Sequence, residues 1–255
     1  MTCANMRAET VGAFFDLDGT LLPAPSLEWR FIGYLLERRE ISSAHAGRWL
    51  ARFAGTFWHD LHGATLGNKL YLRGISEALA NEWEKSLAPI FPREDSLPFF
   101  AEGLQRIAWH RAQRHRVFLV SGTLAPLARA VTRILGALVS TEIEVCATEL
   151  EVTPGTLQIW SGRIAGEHMS GGAKSRAVLM LAARYRLDLS RSYAYGDSAG
   201  DLQMLEGVGY GVAVNPTRRL ARLARKRGWR MCVWETTFGE IPDLAARRLA
   251  SKVAR

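Results

Sequence analysis

Val11-Gly-Ala-Phe-Phe-Asp16-Leu-Asp-Gly-Thr20 is the stretch on which the fold turns. A short apolar run stops dead at an aspartate, a second aspartate follows two residues later, and a glycine permits a tight turn there. A run bounded in this way suits a strand buried on both faces, as in a parallel sheet. In open α/β sheets ligands bind beyond the carboxyl ends of the strands, so Asp16 and Asp18 are placed where chemistry is done.

Downstream, Pro23-Ala-Pro25 breaks the chain and its character changes. From Ser26 to Asp95 apolar residues recur at three- and four-residue intervals: Trp29, Phe31, Tyr34, Leu35 and Leu36, then Trp49, Leu50, Phe53, Phe57 and Trp58, then Ile75, Leu79 and Trp83. The spacing predicts amphipathic helices, with the tryptophans as core. Residues 24–95 are therefore read as an inserted helical cap, and residues 1–23 and 96–255 as the core domain.

In that core domain helix and strand alternate. Helices are expected over Phe99–Gln113, Pro126–Leu135, Ala173–Tyr185 and Asp201–Glu206, and one opened by its proline over Pro216–Arg227. Strands are expected at Val117–Ser121, Leu138–Val145, Tyr193–Tyr195, Tyr210–Val214 and Trp229–Trp234, with a hairpin over Glu149–Ile164 turning at Pro154-Gly155. The fold class is α/β: a doubly wound, Rossmann-like parallel sheet carrying the cap as an insertion.

Composition bounds the function loosely. The 255 residues are 48% hydrophobic and 23% charged, ordinary for a globular protein. The net charge is +8, but the arginines are spread over several helices and no nucleic-acid motif accompanies them, so a nucleic-acid partner is not expected. Cys3, Cys146 and Cys232 have no disulfide or zinc spacing, nor do the six histidines resemble a metal site. With no apolar leader or membrane-length run, the expected location is cytoplasmic.

Three polar segments fall at strand ends: Asp16-Leu-Asp-Gly-Thr20, Ser121-Gly-Thr123 and Gly196-Asp-Ser-Ala-Gly-Asp201. Lys174 stands at the head of a helix. This set suits phosphoryl transfer. A carboxylate serves as nucleophile, and a second protonates the leaving oxygen and then deprotonates water. Clustered acids call for a hard cation such as Mg²⁺, while lysine and hydroxyls steady the phosphoryl oxygens.

In order and context the four segments resemble the motifs of the haloacid dehalogenase superfamily, specifically its phosphoserine-phosphatase-like subgroup with a helical cap. The resemblance covers residues from about 11 to 215. It implies Asp16 as nucleophile and metal ligand, and Asp18 as general acid/base with its backbone carbonyl on the metal. It implies Ser121 and the Gly122 N–H as phosphate ligands, Lys174 bridging phosphate and nucleophile, and Asp197 and Asp201 in the Mg²⁺ site. Two departures stand out. Pro25 occupies about the place where phosphoserine phosphatases carry the glutamate that holds the substrate's amino group, and Gly200 replaces a usual asparagine.

The expected activity is Mg²⁺-dependent hydrolysis of a small phosphorylated metabolite through an aspartyl phosphate. Ser26, Glu28, Trp29 and Arg30, just after the first motif, are the candidates for facing substrate. The rival reading is a lipid-phosphate phosphatase with anionic lipid as partner. It rests on the charge, the aromatic cap and the basic stretch Ile241–Arg255, where Leu244, Leu249 and Val253 share a face. A non-catalytic phosphate-ligand module is the third, and retention of all four acids speaks against it. Oligomeric state leaves no mark in these motifs.

Overall fold

The computed structural model describes residues 10–41, 69–87, 99–155 and 158–235. Strand β1, Gly12–Phe15, is buried along its whole length. It pairs in parallel with β2 (Arg116–Leu124) on one side and β6 (Tyr193–Gly196) on the other. With β3 (Ile143–Thr148), β7 (Tyr210–Val214) and β8 (Arg230–Cys232) the order is β3-β2-β1-β6-β7-β8, every pairing parallel. The chain winds outward from β1 to β3, then returns to β6 and winds the other way. β1 and its neighbours therefore form the switch point at which such sheets place their sites.

The two phenylalanines of β1 explain why it is central. Phe14 stacks on Phe118 at 5.1 Å on one face of the sheet, and Phe15 on Tyr195 at 4.4 Å on the other. Both are fully buried, each contributing about 1.5–3 kcal/mol.

Seven helices cover the described part of the chain: α1 (Leu27–Glu37), α2 (Ala78–Leu87), α3 (Ala101–Ala112), α4 (Ala125–Val139), α5 (Gly172–Tyr185), α6 (Leu202–Glu206) and α7 (Arg218–Arg227). Two expectations are corrected. Leu138 and Val139 belong to α4, because Leu127, Val131, Leu135 and Val139 continue one buried i, i+4 stripe. The helix ends only where Ser140 turns left-handed, and the strand begins at Ile143. Likewise Pro216 does not open α7; Thr217 is its N-cap and the helix starts at Arg218.

Between β1 and α3 the described residues form α1, a 3₁₀ turn at Leu70–Leu72 and α2. Ser26 caps α1, its Oγ accepting from Trp29 N. Phe31 packs edge-on against Trp83 of α2 at 5.4 Å and Trp160 at 6.1 Å. Trp160 lies in β5 (Ile159–Ile164), which forms the expected hairpin with β4 (Leu150–Thr153). This hairpin also joins the stretch after the 3₁₀ turn through the backbone. Gly74 N donates to Trp160 O, Trp160 N to Ile75 O, and Glu77 N to Gln158 O, at 2.9–3.0 Å. A Cβ on Gly162 would meet Leu70 Cα at 3.0 Å, so only glycine lets β5 lie this close.

Trp83 is buried as expected, but Trp29 is 63% exposed, since it faces away from the Leu27–Phe31–Leu35 stripe of α1. Trp49, Leu50, Phe53, Phe57, Trp58 and the stretch Ile241–Arg255 lie outside the described residues. Among those described, no helix is long and apolar enough to cross a membrane.

Candidate active site

Asp16 leaves β1 with its N–H bonded to Tyr195 O at 3.0 Å, which fixes the strand end against β6. The chain then coils tightly: Leu21 N and Leu22 N both donate to Leu17 O, and Gly19 N donates to Leu22 O at 2.7 Å. Gly19 has φ +84°, a conformation that costs other residues energy. The turn holds Asp16 and Asp18 at one strand end.

Lys174, in the first turn of α5, reaches into this end fully buried. Its Nζ lies 2.6 Å from Asp16 Oδ1 and 2.5 Å from Asp201 Oδ1. Burial works against the ammonium charge, but the two carboxylates outweigh it and hold Lys174 protonated. The other oxygen of Asp201 accepts from Asp197 N (3.2 Å), Ser198 N (2.9 Å) and Ser198 Oγ (3.0 Å). Asp201 is thus saturated with donors and shapes the loop that presents Asp197.

Asp18 is held differently. Its Oδ1 accepts from Leu27 N at 2.7 Å and its Oδ2 from the Thr123 hydroxyl. Burial pushes its carboxyl upward against these two bonds, so the proton is retained more readily than by a free aspartate. Ser121 and Gly122 lie within β2, which runs on to Leu124. Ser121 is buried, its Oγ accepting from Thr123 N at 3.3 Å. The Gly122 carbonyl accepts from Thr148 Oγ1 at 2.8 Å, and a Cβ on Gly122 would meet His168 Cε1 at 3.0 Å.

Asp16, Asp197 and Asp201 bring carboxylate oxygens within 4.8 Å of one another. Among the described charges in contact with them, Lys174 supplies the only cation. Burial lifts Asp16 to about 7, with Lys174 opposing and Asp201 and Asp18 adding to it. Burial, then the charges of Asp16 and Asp201, lift Asp197 to about 8. An all-oxygen donor set with surplus negative charge fits a hard divalent cation.

Of the residues read as facing substrate, Ser26 is occupied as a cap and Trp29 points to solvent. Arg30 donates to Pro25 O at 2.9 Å and Pro23 O at 3.1 Å. Glu28 accepts from the buried Lys69 at 2.6 Å through both oxygens, and from the Tyr71 hydroxyl. Lys69, Tyr71 and His168 were not legible in the sequence as site residues. Lys69 and Tyr71 stand far from every motif, and His168 carries no spacing signal. His168 and Ser170 also line a groove of about 1110 Å³ between the 3₁₀ turn and the hairpin, walled by Arg73, Trp160 and Gly162.

Comparison with known proteins agrees with this architecture. The model of the haloacid dehalogenase-like hydrolase family matches residues 13–206. The chain is 30% identical over 266 residues to a Mycobacterium tuberculosis protein named phosphoserine phosphatase SerB1, covering 96% of this chain and 74% of that one. It is 31% identical to an inhibition of morphological differentiation protein of Streptomyces azureus, over 88% and 79% of the two chains. Among solved structures, a Bordetella pertussis protein of unknown function superposes with TM-score 0.68 at 25% identity, over 88% of this chain and 99% of that one. A phospho-aspartyl intermediate analogue of a phosphoserine phosphatase shares the fold at TM-score 0.54 and 20% identity, over 96% and 99%. With three acids and a lysine gathered at the switch point of a matching sheet, the chain belongs to the haloacid dehalogenase-like hydrolase family.

Proposed function

We propose that this hydrolase is a phosphomonoesterase that attacks its substrate with Asp16 and passes through an aspartyl phosphate. The observation that carries the reading is the buried bridge Asp16–Lys174–Asp201. It presents one carboxylate at a strand end beside a fixed positive charge, as attack on a phosphoryl group requires. The names of similar proteins point the same way.

In this reading Asp16 Oδ attacks phosphorus while Asp18, held by Leu27 N and Thr123, gives its proton to the departing alkoxide. The same carboxylate then takes a proton from the water that hydrolyses the acyl phosphate. Ser121 Oγ and the Gly122 N–H bind phosphoryl oxygens, and Lys174 offsets their charge. Asp16, Asp197 and the Asp18 carbonyl would hold Mg²⁺, with Asp201 orienting Asp197. When bound, the ion would supply further charge neutralisation for the phosphoryl group. The substrate is a small phosphorylated metabolite; nothing among the described residues favours a phospholipid.

The test is hydrolysis of a phosphomonoester panel with Mg²⁺ or with EDTA, alongside Asp16→Asn, with hydroxylamine trapping of the acyl phosphate. Turnover that needs metal and Asp16 is the expected result. Turnover that survives Asp16→Asn would overturn the mechanism.

A further inference from the structure

The charges around Asp18 on the cap side bear on what kind of alcohol leaves. Leu27 N holds Asp18, and the next residue, Glu28, is the nearest acid that α1 contributes. Its carboxylate is already neutralised. Lys69 Nζ sits 2.6 Å from both its oxygens, with the lysine side chain 5% exposed and that of Glu28 20%. Tyr71, also buried, donates its hydroxyl to the same carboxylate. Across from them His168 lies against Gly122 on the phosphate side. Its Nδ1 is buried without a partner. Burial, then the nearby Lys69, keeps His168 neutral. Among the described residues Lys174 and Arg30 also bring positive charge near Asp18; Lys174 is held by Asp16 and Asp201, and the Arg30 guanidinium is bonded to Pro23 O and Pro25 O.

We infer that Glu28, Lys69, Tyr71 and His168 form the leaving-group subsite, and that it selects an uncharged, hydroxyl-bearing alcohol over one carrying an ammonium. This rests on the phosphomonoesterase reading and narrows it. To reach Glu28, a substrate ammonium would have to displace Lys69 and leave a buried lysine unpaired, which is strongly unfavourable. A hydroxyl can instead join the existing bonds as donor to Glu28 or partner to His168 without displacing any charge. The two functional elements that meet here come from different parts of the chain, and Lys69 joins them by tying α1 to the 3₁₀ turn.

Three esters of equal reach separate the possibilities: 2-hydroxyethyl phosphate, O-phosphoethanolamine and phosphoglycolate. The wild-type kcat/KM is expected to favour the hydroxyl ester over the ammonium ester by roughly tenfold or more. Lys69→Met frees Glu28 and should move that ratio toward phosphoethanolamine by roughly tenfold; Lys69→Gln carries the same arm if Met fails to fold. Glu28→Gln frees Lys69 instead and should move selectivity toward phosphoglycolate. Shifts of opposite sign are not produced by a merely structural pair, which would scale all three esters alike. A wild-type preference for the ammonium ester, or equal scaling in the variants, would overturn the inference. Calorimetric binding of the same esters to Asp16→Asn reads the subsite without turnover. Failure of the phosphatase reading, seen as no acyl phosphate from p-nitrophenyl phosphate, is thereby distinguished from failure of the subsite.

Discussion

Gly19 and Asp197 approach so closely that a Cβ on the glycine would lie 2.5 Å from Asp197 Oδ2. The turn after β1 and the loop after β6 are therefore fitted to each other at the position where a metal ligand is expected. Gly19→Ala must either move Asp197 or unwind the φ +84° turn. We expect kcat/KM to fall by roughly a hundredfold, and Mg²⁺ affinity by calorimetry to weaken, because a misplacement of about 1 Å at a catalytic group is enough for this. Unchanged metal affinity would show that Asp197 yields without consequence.

Lys174 is buried between two carboxylates. Lys174→Met removes the charge and leaves both acids uncompensated, so unfolding free energy in metal-free buffer should drop by about 3–5 kcal/mol. Urea denaturation measures it. A loss below about 1 kcal/mol would mean that the carboxylates simply take up protons.

Thr123 donates its hydroxyl to Asp18, the residue proposed above to protonate the leaving group. That bond lowers the Asp18 pKa while burial raises it. Thr123→Val should therefore push the pKa further up. If Asp18 must carry a proton to protonate the departing oxygen, as proposed, the alkaline limb of the kcat profile should move to higher pH. Loss of alignment should also cut kcat by roughly tenfold to a hundredfold. A profile that keeps its alkaline limb would remove Thr123 from this role.

Asp16 and Asp197 have folded-state values of about 7 and 8, both above the ordinary 3.8. Over that interval the folded state binds more protons than the unfolded, so in EDTA stability should fall as pH rises from about 4 to 8. Mg²⁺, competing with those protons, should stabilise the protein more at pH 8 than at pH 6. Melting temperatures across pH, with and without the ion, check both signs.

The sheet was legible because the apolar runs in β1, β2 and β6 give way to polar residues at Asp16, Ser121 and Asp197, and a buried parallel strand leaves that mark. The acids were legible because they follow such ends, whereas Lys174, at the head of a helix, was legible through its place in the order of motifs. Boundaries failed where a signal was shared: Val139 is as good a strand residue as a helix residue, and only its place on the α4 stripe decides. Lys69 and Tyr71 were missed for another reason. Glu28 could be seen as near the site, but the partners that neutralise it stand 41 and 43 residues away, and no periodicity relates them. The exposure of Trp29 shows the limit of residue type alone, since helix phase rather than hydrophobicity sets which face it takes.

The backbone bonds from Gly74, Ile75 and Glu77 to Gln158 and Trp160 carry a consequence for anyone who would graft this enzyme. The unit formed by the 3₁₀ turn and the hairpin it bonds is drawn from two separate stretches of the sequence. A chimera that exchanges the insertion but keeps the native hairpin would set a foreign 3₁₀ turn against Gly162 and leave the edge of β5 without its partners. Transplanting both stretches together preserves the seam, so the recombination unit is set by that seam and not by the prolines Pro23 and Pro25.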